Sequence, residues 1–499
     1  MLAKKRTSPD DAISLDDNGH LTFGPNDPTN PKNWSLRRRY CITAIVIVIV
    51  LNATFASSAP SGTIDGLSKD LHVSVEAGGL VTTLFLLGYT AGPLLWGPLS
   101  EFYGRQMIFF GTFTLYLIFN FLCAFSPNFG GLLVGRFLTG AFASSGLSNV
   151  PGTLSDIWGP VGRGHAINLF LVVTFVGPAL GPVISGFLEL TKTWRWTFYV
   201  LLWMAGITEP FMFFLLPETL PSMILYRRAR RLRTAKVPGY ENVMAPVETT
   251  DRRLSAIFYA TLTRPWKLLI DPICGLVCIY FAVTYALLYM LFSIYPIVFQ
   301  QKRGWNAGVG ELPLLGVAIG AALGGVIVFV LGEREKNNKN PTPEDRLPAA
   351  MIGAVLFAVA MFWFAWSGEY DAVPWIVPTL AGTFLSTSLL LIFVGFMNYL
   401  VDSYLAFAAS TLAACTVVRA AAASASPLFT QYMFDALGVG GGGSLIGGIA
   451  VLLLPIPFAF YRYGAPLRLR SKYAPTANVA GRKQDDENQD EEKGSQVDN

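Results

Sequence analysis

The sequence predicts an all-α membrane protein of twelve transmembrane helices in two six-helix bundles. Three observations carry that prediction. Of 499 residues, 52% are hydrophobic and 14% charged, whereas an average soluble domain is ~25% charged. The 33 acidic and 37 basic side chains are too few to cover a soluble protein of this length, and a net charge of only +4 in so apolar a chain excludes disorder. Finally, apolar runs of the ~20 residues needed to cross a bilayer recur along the chain, on both sides of one long basic segment.

In order, the runs are about 39–60, 77–97, 107–126, 130–152, 165–189 and 196–217, then about 272–298, 309–331, 348–367, 374–398, 404–432 and 443–463. They are continuous rather than alternating, which predicts helices and not barrel strands. Residues 1–36 are polar and include Asn26-Asp27-Pro28-Thr29-Asn30-Pro31, so no cleavable signal peptide is expected. The sequon Asn52-Ala53-Thr54 falls inside the first run and should escape glycosylation.

Basic residues set the orientation. Arg37, Arg38 and Arg39 precede the first run. Segment 218–271 carries Arg227, Arg228, Arg230, Arg231, Arg233, Lys236, Arg252, Arg253, Arg264 and Lys267. Arg334, Lys336, Lys339 and Arg346 follow the eighth run, and Arg468, Arg470 and Lys472 follow the last. Loops 127–129 and 368–373 have no basic residue. Both termini are therefore expected in the cytoplasm. The expected organisation is a tail at 1–38, an N-terminal bundle at 39–217 and a basic linker at 218–271 lying on an anionic leaflet. A C-terminal bundle at 272–463 follows, then a largely disordered cytoplasmic tail at 464–499 with the acidic run Asp485-Asp486-Glu487.

The same chain argues against several functions. Cys41, Cys123, Cys274, Cys278 and Cys415 are too scattered for a disulfide framework, and Cys274 and Cys278 have no nearby His or Cys in sequence to complete a metal site. They read as small packing residues. His20, His72 and His165 are scattered, which speaks against an imidazole metal centre or a membrane-embedded enzyme. No Gly-x-x-x-x-Gly-Lys-Ser/Thr segment exists, so direct ATP drive is not expected. No cofactor, metal or nucleic-acid partner is expected; the partners are a small-molecule substrate, protons and the lipid bilayer, around a monomer.

Between the second and third runs stands Gly97-Pro98-Leu99-Ser100-Glu101-Phe102-Tyr103-Gly104-Arg105-Gln106. Glycines permit a tight turn and close helix contact. With twelve runs in two halves, this loop resembles the major facilitator superfamily, whose pattern is Gly-x-Leu-x-Asp-x-x-Gly-Arg-Lys/Arg. The resemblance implies a gating motif of Gly97, Glu101, Gly104, Arg105 and Asp156, with Glu101 facing the start of span eleven and Arg105 paired with Asp156. Glutamate replaces the usual aspartate, Phe102 stands where a basic residue is common, and Gln106 replaces the last basic residue, which predicts a weaker latch. Gly332-Glu333-Arg334 is a degenerate echo in the second half, and Gly181-Pro182 is matched by Ser426-Pro427 in span eleven. Together they imply two pseudo-symmetric bundles, the major facilitator fold.

Span five reads Gly177-Pro178-Ala179-Leu180-Gly181-Pro182-Val183-Ile184-Ser185-Gly186. It resembles the Gly-x-x-x-Gly-Pro-x-x-Gly-Gly motif of exporters, with Ser185 for one glycine. Gly177, Gly181 and Gly186 are expected to pack against the opposite half, with Pro182 bending the helix. Asn30-Pro31-Lys32-Asn33-Trp34-Ser35, Trp194-Arg195-Trp196, Leu216-Pro217-Glu218-Thr219-Leu220-Pro221 and Leu467-Arg468-Leu469-Arg470 extend the resemblance to fungal twelve-spanner drug:proton antiporters of the multidrug and benomyl/methotrexate-resistance type.

Charges inside spans are expensive and mark function by default. Arg136, in Leu132-Leu133-Val134-Gly135-Arg136-Phe137-Leu138-Thr139-Gly140, resembles the arginine of proton-driven members that tunes a nearby proton carrier; its alternative is an arginine snorkelling to the outer interface. Glu209, before Pro210, is a second coupling candidate or a structural glutamate. Arg419 is expected at the cavity or the half–half interface, against a structural ion pair. Glu189 and Glu311 lie near outer span ends and are expected to be solvated. Asn52, Tyr89, Tyr285 and Tyr289 are cavity candidates, Tyr285 and Tyr289 sharing a helix face at i and i+4, although an aromatic stripe also serves packing. The expected function is proton-coupled efflux of hydrophobic or amphipathic molecules across the plasma membrane, with a nutrient or polyamine importer as the alternative and an embedded enzyme or transporter-like sensor less favoured.

Overall fold

A helix is the backbone that satisfies its own polar groups within one segment in lipid, and each apolar run forms one. The computed structural model of the chain describes residues 14–16, 19–238, 240, 242–248, 254–335, 342–471 and 473. Helix one is Leu36–Ser58, two Val75–Tyr103, three Arg105–Ala124, four Phe129–Ile157, five Pro160–Glu189 and six Arg195–Leu215. Helix seven is Pro272–Tyr295, eight Leu314–Glu335, nine Leu347–Glu369 and ten Ile376–Ser403. Helices eleven and twelve share Ala408–Leu453, broken at Gly438, and Pro455–Arg470 completes helix twelve. The expected Arg252, Arg253, Lys336, Lys339, Lys472 and Asp485-Asp486-Glu487 lie outside the described residues.

Short polar side chains start the helices where the sequence places them. The Ala77 N–H donates to Ser74 Oγ and the Gly131 N–H to Asn128 Oδ1. Asp271 accepts from Ile273 N–H, with Pro272 in the first turn. Gly438 has φ 70°, where a Cβ is strained, and reverses the chain. Glu369 fixes that reversal: one oxygen accepts from Gly440 N–H at 2.6 Å and the other pairs with Lys302 at 2.6 Å.

Two pairings repeat in each bundle. Helix one packs on five as seven packs on eleven, and two packs on four as eight packs on ten. The halves meet along two seams, two against eleven and five against eight. Exchange of halves maps one seam onto the other, as an internal two-fold requires. Large apolar side chains such as Phe214 and Leu452, 81% and 78% exposed, line the outside, where lipid replaces water. Helix four is the polar one, rich in Gly, Ser and Thr, and lies within the first bundle.

The chain before helix one is more ordered than a plain polar tail. Leu21 is buried with Leu225, Ala229, Val243 and Ala245 of the linker, whose described part includes the helix Pro221–Thr234. Asp27 is buried and pairs with Arg228 at 2.6 Å. Burial alone raises its pKa, but Thr29 and Arg228 outweigh burial and hold the carboxyl below its ordinary value. The contribution of this carboxylate to docking of the tail is therefore fully present above the ordinary carboxylate pKa and lost as the pH falls through the lowered one. Asp27→Asn should expose residues 19–35 to limited proteolysis at neutral pH. Cleavage at the wild-type rate would show that the pair does not hold the tail.

Candidate transport site

The two bundles enclose a cleft of about 850 Å³. Its mouth lies at the end that carries the basic linker and is lined by Glu101, Arg163, Asp345, Arg346 and Asp402. Its depth is lined by Phe170 and Thr174 from the first bundle, and by Phe281, Phe393 and Arg419 from the second. The far end is sealed. Tyr289 donates to Ser57 Oγ across the halves at 2.8 Å, and helix five packs beside Ala307 and Gly308.

Arg419 is 7% exposed, with its guanidinium 4.7 Å from the Tyr285 ring and 4.9 Å from the Phe393 ring. No carboxylate pairs with it among the described residues, and its Nη1 has no hydrogen-bond partner. Tyr285 and Tyr289 stack edge to face at 5.3 Å. Tyr89 is buried with an unpartnered hydroxyl, within electrostatic reach of Arg136 on one side and Arg419 on the other. Of the four cavity candidates Tyr89, Tyr285, Tyr289 and Arg419, only Arg419 lines the cleft; Tyr285 packs behind it and Tyr289 on Tyr285, both buried. The structure does not bring Asn52 there either. Asn52 donates to Val48 O and Thr208 Oγ1, facing helix six.

Arg136 is fully buried and does not snorkel. Its Nε donates to Val81 O at 3.0 Å and its Nη2 to Ala56 O at 2.8 Å, while the guanidinium lies 4.2 Å from the Phe85 ring. Ala56 sits in the last turn of helix one, where carbonyls lack helical partners and the dipole is negative. One cation therefore braces helices one, two and four near the sealed end. No carboxylate pairs with it among the described residues. Glu209 is half-buried on the face of helix six that meets helix three, where its carboxylate accepts from Thr114. It lines no part of the cleft, because helix six lies at the periphery.

Glu311 is not solvated as the sequence suggested. It is 1% exposed, accepts from Gln300 Nε2 at 3.0 Å and keeps its other oxygen unpartnered. Its side chain stands where a Cβ on Gly186 would meet it at 2.9 Å. Glu189, expected in solvent too, also has a buried oxygen without a partner. The span-five glycines divide their work. Gly177 and Gly181 give room to Thr54 and Ser58 of helix one, in the same bundle, and only Gly186 meets the opposite half. Pro182 is inside helix five, and the carbonyl of its neighbour Pro178 accepts from Ser58 at 2.7 Å.

At the mouth, Gly104 adopts φ 99°, and a Cβ there would meet Glu218 at 2.1 Å. Arg105 Nε lies 3.5 Å from Asp156 and its Nη1 donates to Ser100 at 2.5 Å. Glu218 accepts from the N–H groups of Arg105, Thr219 and Leu220, which ties the loop to the linker. Gln106, which departs from the basic pattern, donates to Leu216 O. Gly97 faces open space, and Glu101 lines the same cleft as Ala408 and Ser410 at the start of helix eleven, with no hydrogen bond to that helix among the described residues. His165 lies 3.6 Å from Glu333 across the halves, a pair that scattered histidines gave no reason to expect. Cys415 stands 2.9 Å from Cys278, so the two cysteines read as partnerless have a third beside them.

Two bundles around a cleft open at one end have the build of an alternating-access secondary transporter. The Major Facilitator Superfamily model matches residues 45–427, and the chain belongs to that superfamily. It is 37% identical to a citrinin biosynthesis cluster MFS transporter of Monascus ruber, over 91% of each chain. It is also 39% identical to an MFS-type efflux pump of Trichophyton rubrum, over 91% of this chain and 77% of that one. A multidrug transporter of Aspergillus fumigatus is 38% identical over 92% and 76%. The proton:xylose symporter XylE shares the fold with a TM-score of 0.63 at 15% identity, over 86% of this chain and 96% of that one.

The brace at Arg136 is tested by Arg136→Lys. An ammonium keeps the charge but not the two-pronged geometry that reaches two carbonyls. Thermal unfolding should fall by several degrees and transport by about tenfold or more, the cost of a charged hydrogen bond being ~1.5–3 kcal/mol. Wild-type stability and transport in the lysine variant would show that charge alone suffices.

Proposed function

We propose that this transporter exports amphipathic small molecules carrying an anionic or strongly accepting group, in exchange for protons. Arg419 is the observation that carries the reading: a cation without a carboxylate partner among the described residues, at the closed end of an aromatic cleft. A solute with an apolar body and an oxygen-rich head satisfies both. The fungal relatives named as efflux pumps and multidrug transporters support the outward direction. In this reading the basic end faces the cytoplasm of the cell, both termini included, and the span pattern sits in the plasma membrane.

Glu311 is the coupling group in this mechanism. When the cleft opens at the basic end, its carboxyl is shut in the seam against Gly186. When the seam parts, the same carboxyl faces the other side. Exchange requires two half-steps of this carboxyl: it takes up a proton from the far side when the seam parts, and gives that proton up toward the basic end once the seam has closed on it. Arg105, Asp156 and Glu218 hold the loop that the bundles move against, and Arg136 keeps helices one and two in register.

Inside-out vesicles with an acid interior should accumulate a fluorescent amphipathic acid, and an ionophore should abolish accumulation. Accumulation unchanged by the ionophore would refute proton coupling. Arg419→Ala should weaken apparent affinity for that acid by about tenfold or more, the value of one charged hydrogen bond, while sparing a neutral analogue. Equal loss for both probes would mean that Arg419 only packs. Glu311→Gln should abolish gradient-driven accumulation and leave downhill exchange; intact accumulation would remove Glu311 from the mechanism.

A further inference from the structure

Three of the five cysteines converge. Cys274 and Cys278 stand one turn apart on helix seven, and Cys415 faces them from helix eleven. Cys278 Sγ lies 2.9 Å from Cys415 Sγ and 3.9 Å from Cys274 Sγ, and all three sulfurs fall within 4.8 Å of one another. At ~2.3 Å per metal–sulfur bond, three thiolates around one centre stand roughly 3.5–4 Å apart. The cluster therefore approaches a three-coordinate sulfur site, which the Cys278–Cys415 pair reaches by opening from 2.9 Å by roughly 0.6–1.1 Å. It is almost fully buried, yet Cys415 is part of the cleft wall, one turn before Arg419.

Charge selects the occupant. Thiolate ligands favour soft centres. Three thiolates around a monovalent ion carry net charge −2, and around a divalent ion −1. Either is costly among apolar helices, and no cation pairs with the cluster among the described residues. A trivalent centre gives a neutral complex. We propose that Cys274, Cys278 and Cys415 form a binding site for a trivalent thiophilic metalloid of the arsenite class, entered from the cleft. Three S–H and three As–O bonds break and three As–S bonds form: As(OH)₃ + 3 RSH → As(SR)₃ + 3 H₂O. Each thiol proton leaves with a hydroxide as water, and no electron is transferred. The occupied site links helix seven to helix eleven in the wall of the cleft.

The test uses full-length protein in detergent, kept reduced, incubated with sodium arsenite and desalted. Wild type should retain about one arsenic per chain, and arsenite should shield three of five cysteines from maleimide. Cys278→Ala and Cys415→Ala should each lower retention by about tenfold or more, whereas Cys41→Ala should not. X-ray absorption of the wild-type complex should show three sulfur neighbours, a readout that holds even if a variant folds poorly. No retention by wild type, or equal retention by all variants, overturns the proposal. So does a Cys278–Cys415 disulfide that forms on purification and, once reduced, leaves a protein that ignores arsenite.

Discussion

Helices in a bilayer are not pushed together by water, because lipid is as apolar as their side chains. Close packing and hydrogen bonds must hold them, and the architecture here depends on that constraint. Where backbones approach, the sequence is small. A Cβ on Gly140 would stand 2.0 Å from Phe85 O, and one on Gly320 would stand 2.0 Å from Thr383 O. These lie on equivalent helix pairs of the two halves, two on four and eight on ten, with the glycine on helix four in the first and on helix eight in the second. The polar contacts follow the same logic. Asn168 donates to Gly325 O across one seam at 2.9 Å, and Arg136 supplies carbonyls on two helices at once. Within each bundle such contacts are dense and fixed. Between the bundles they are few, so that one end can part while the other holds.

The order and number of helices were legible because they follow from run length and from loop charge. Arg105 near Asp156 and the demand for glycine at 104 were legible too, since a tight turn leaves few choices of residue. What the sequence hid was azimuth. A helix that is apolar all round gives no signal for which face meets the cavity. Asn52 and Glu209 were therefore assigned by depth alone, and both face helix–helix contacts at the periphery of the first bundle. Depth misled at Glu311 for the opposite reason: a residue near a span end is solvated only if no neighbouring bundle covers it, and helix five does. The glycines of span five failed in the same way. Their spacing announces close contact without saying with which partner, and helix one claims two of the three.

The cysteines illustrate the limit of reading along the chain. Cys274 and Cys278 advertise one face of helix seven, but their third neighbour is 137 residues away in sequence. Only the packing of helix seven on eleven, itself the echo of one on five, puts Cys415 beside them. The same packing leaves Arg419 one turn further along, above the Tyr285 ring. Much of the cleft's character thus rests on a single helix pair.

Gly438 reverses the chain with one residue, and Glu369 clamps the first amides beyond it. Such a turn leaves no slack. Helix eleven, which lines the cleft and forms a seam, is joined rigidly to helix twelve, whose exposed Leu445, Val451 and Leu452 meet acyl chains. A tilt of one is a tilt of both. Lateral pressure and bilayer thickness, acting on helix twelve from outside, accordingly bear on the Arg419 end of the cleft, making the membrane a mechanical load on the opening of the site.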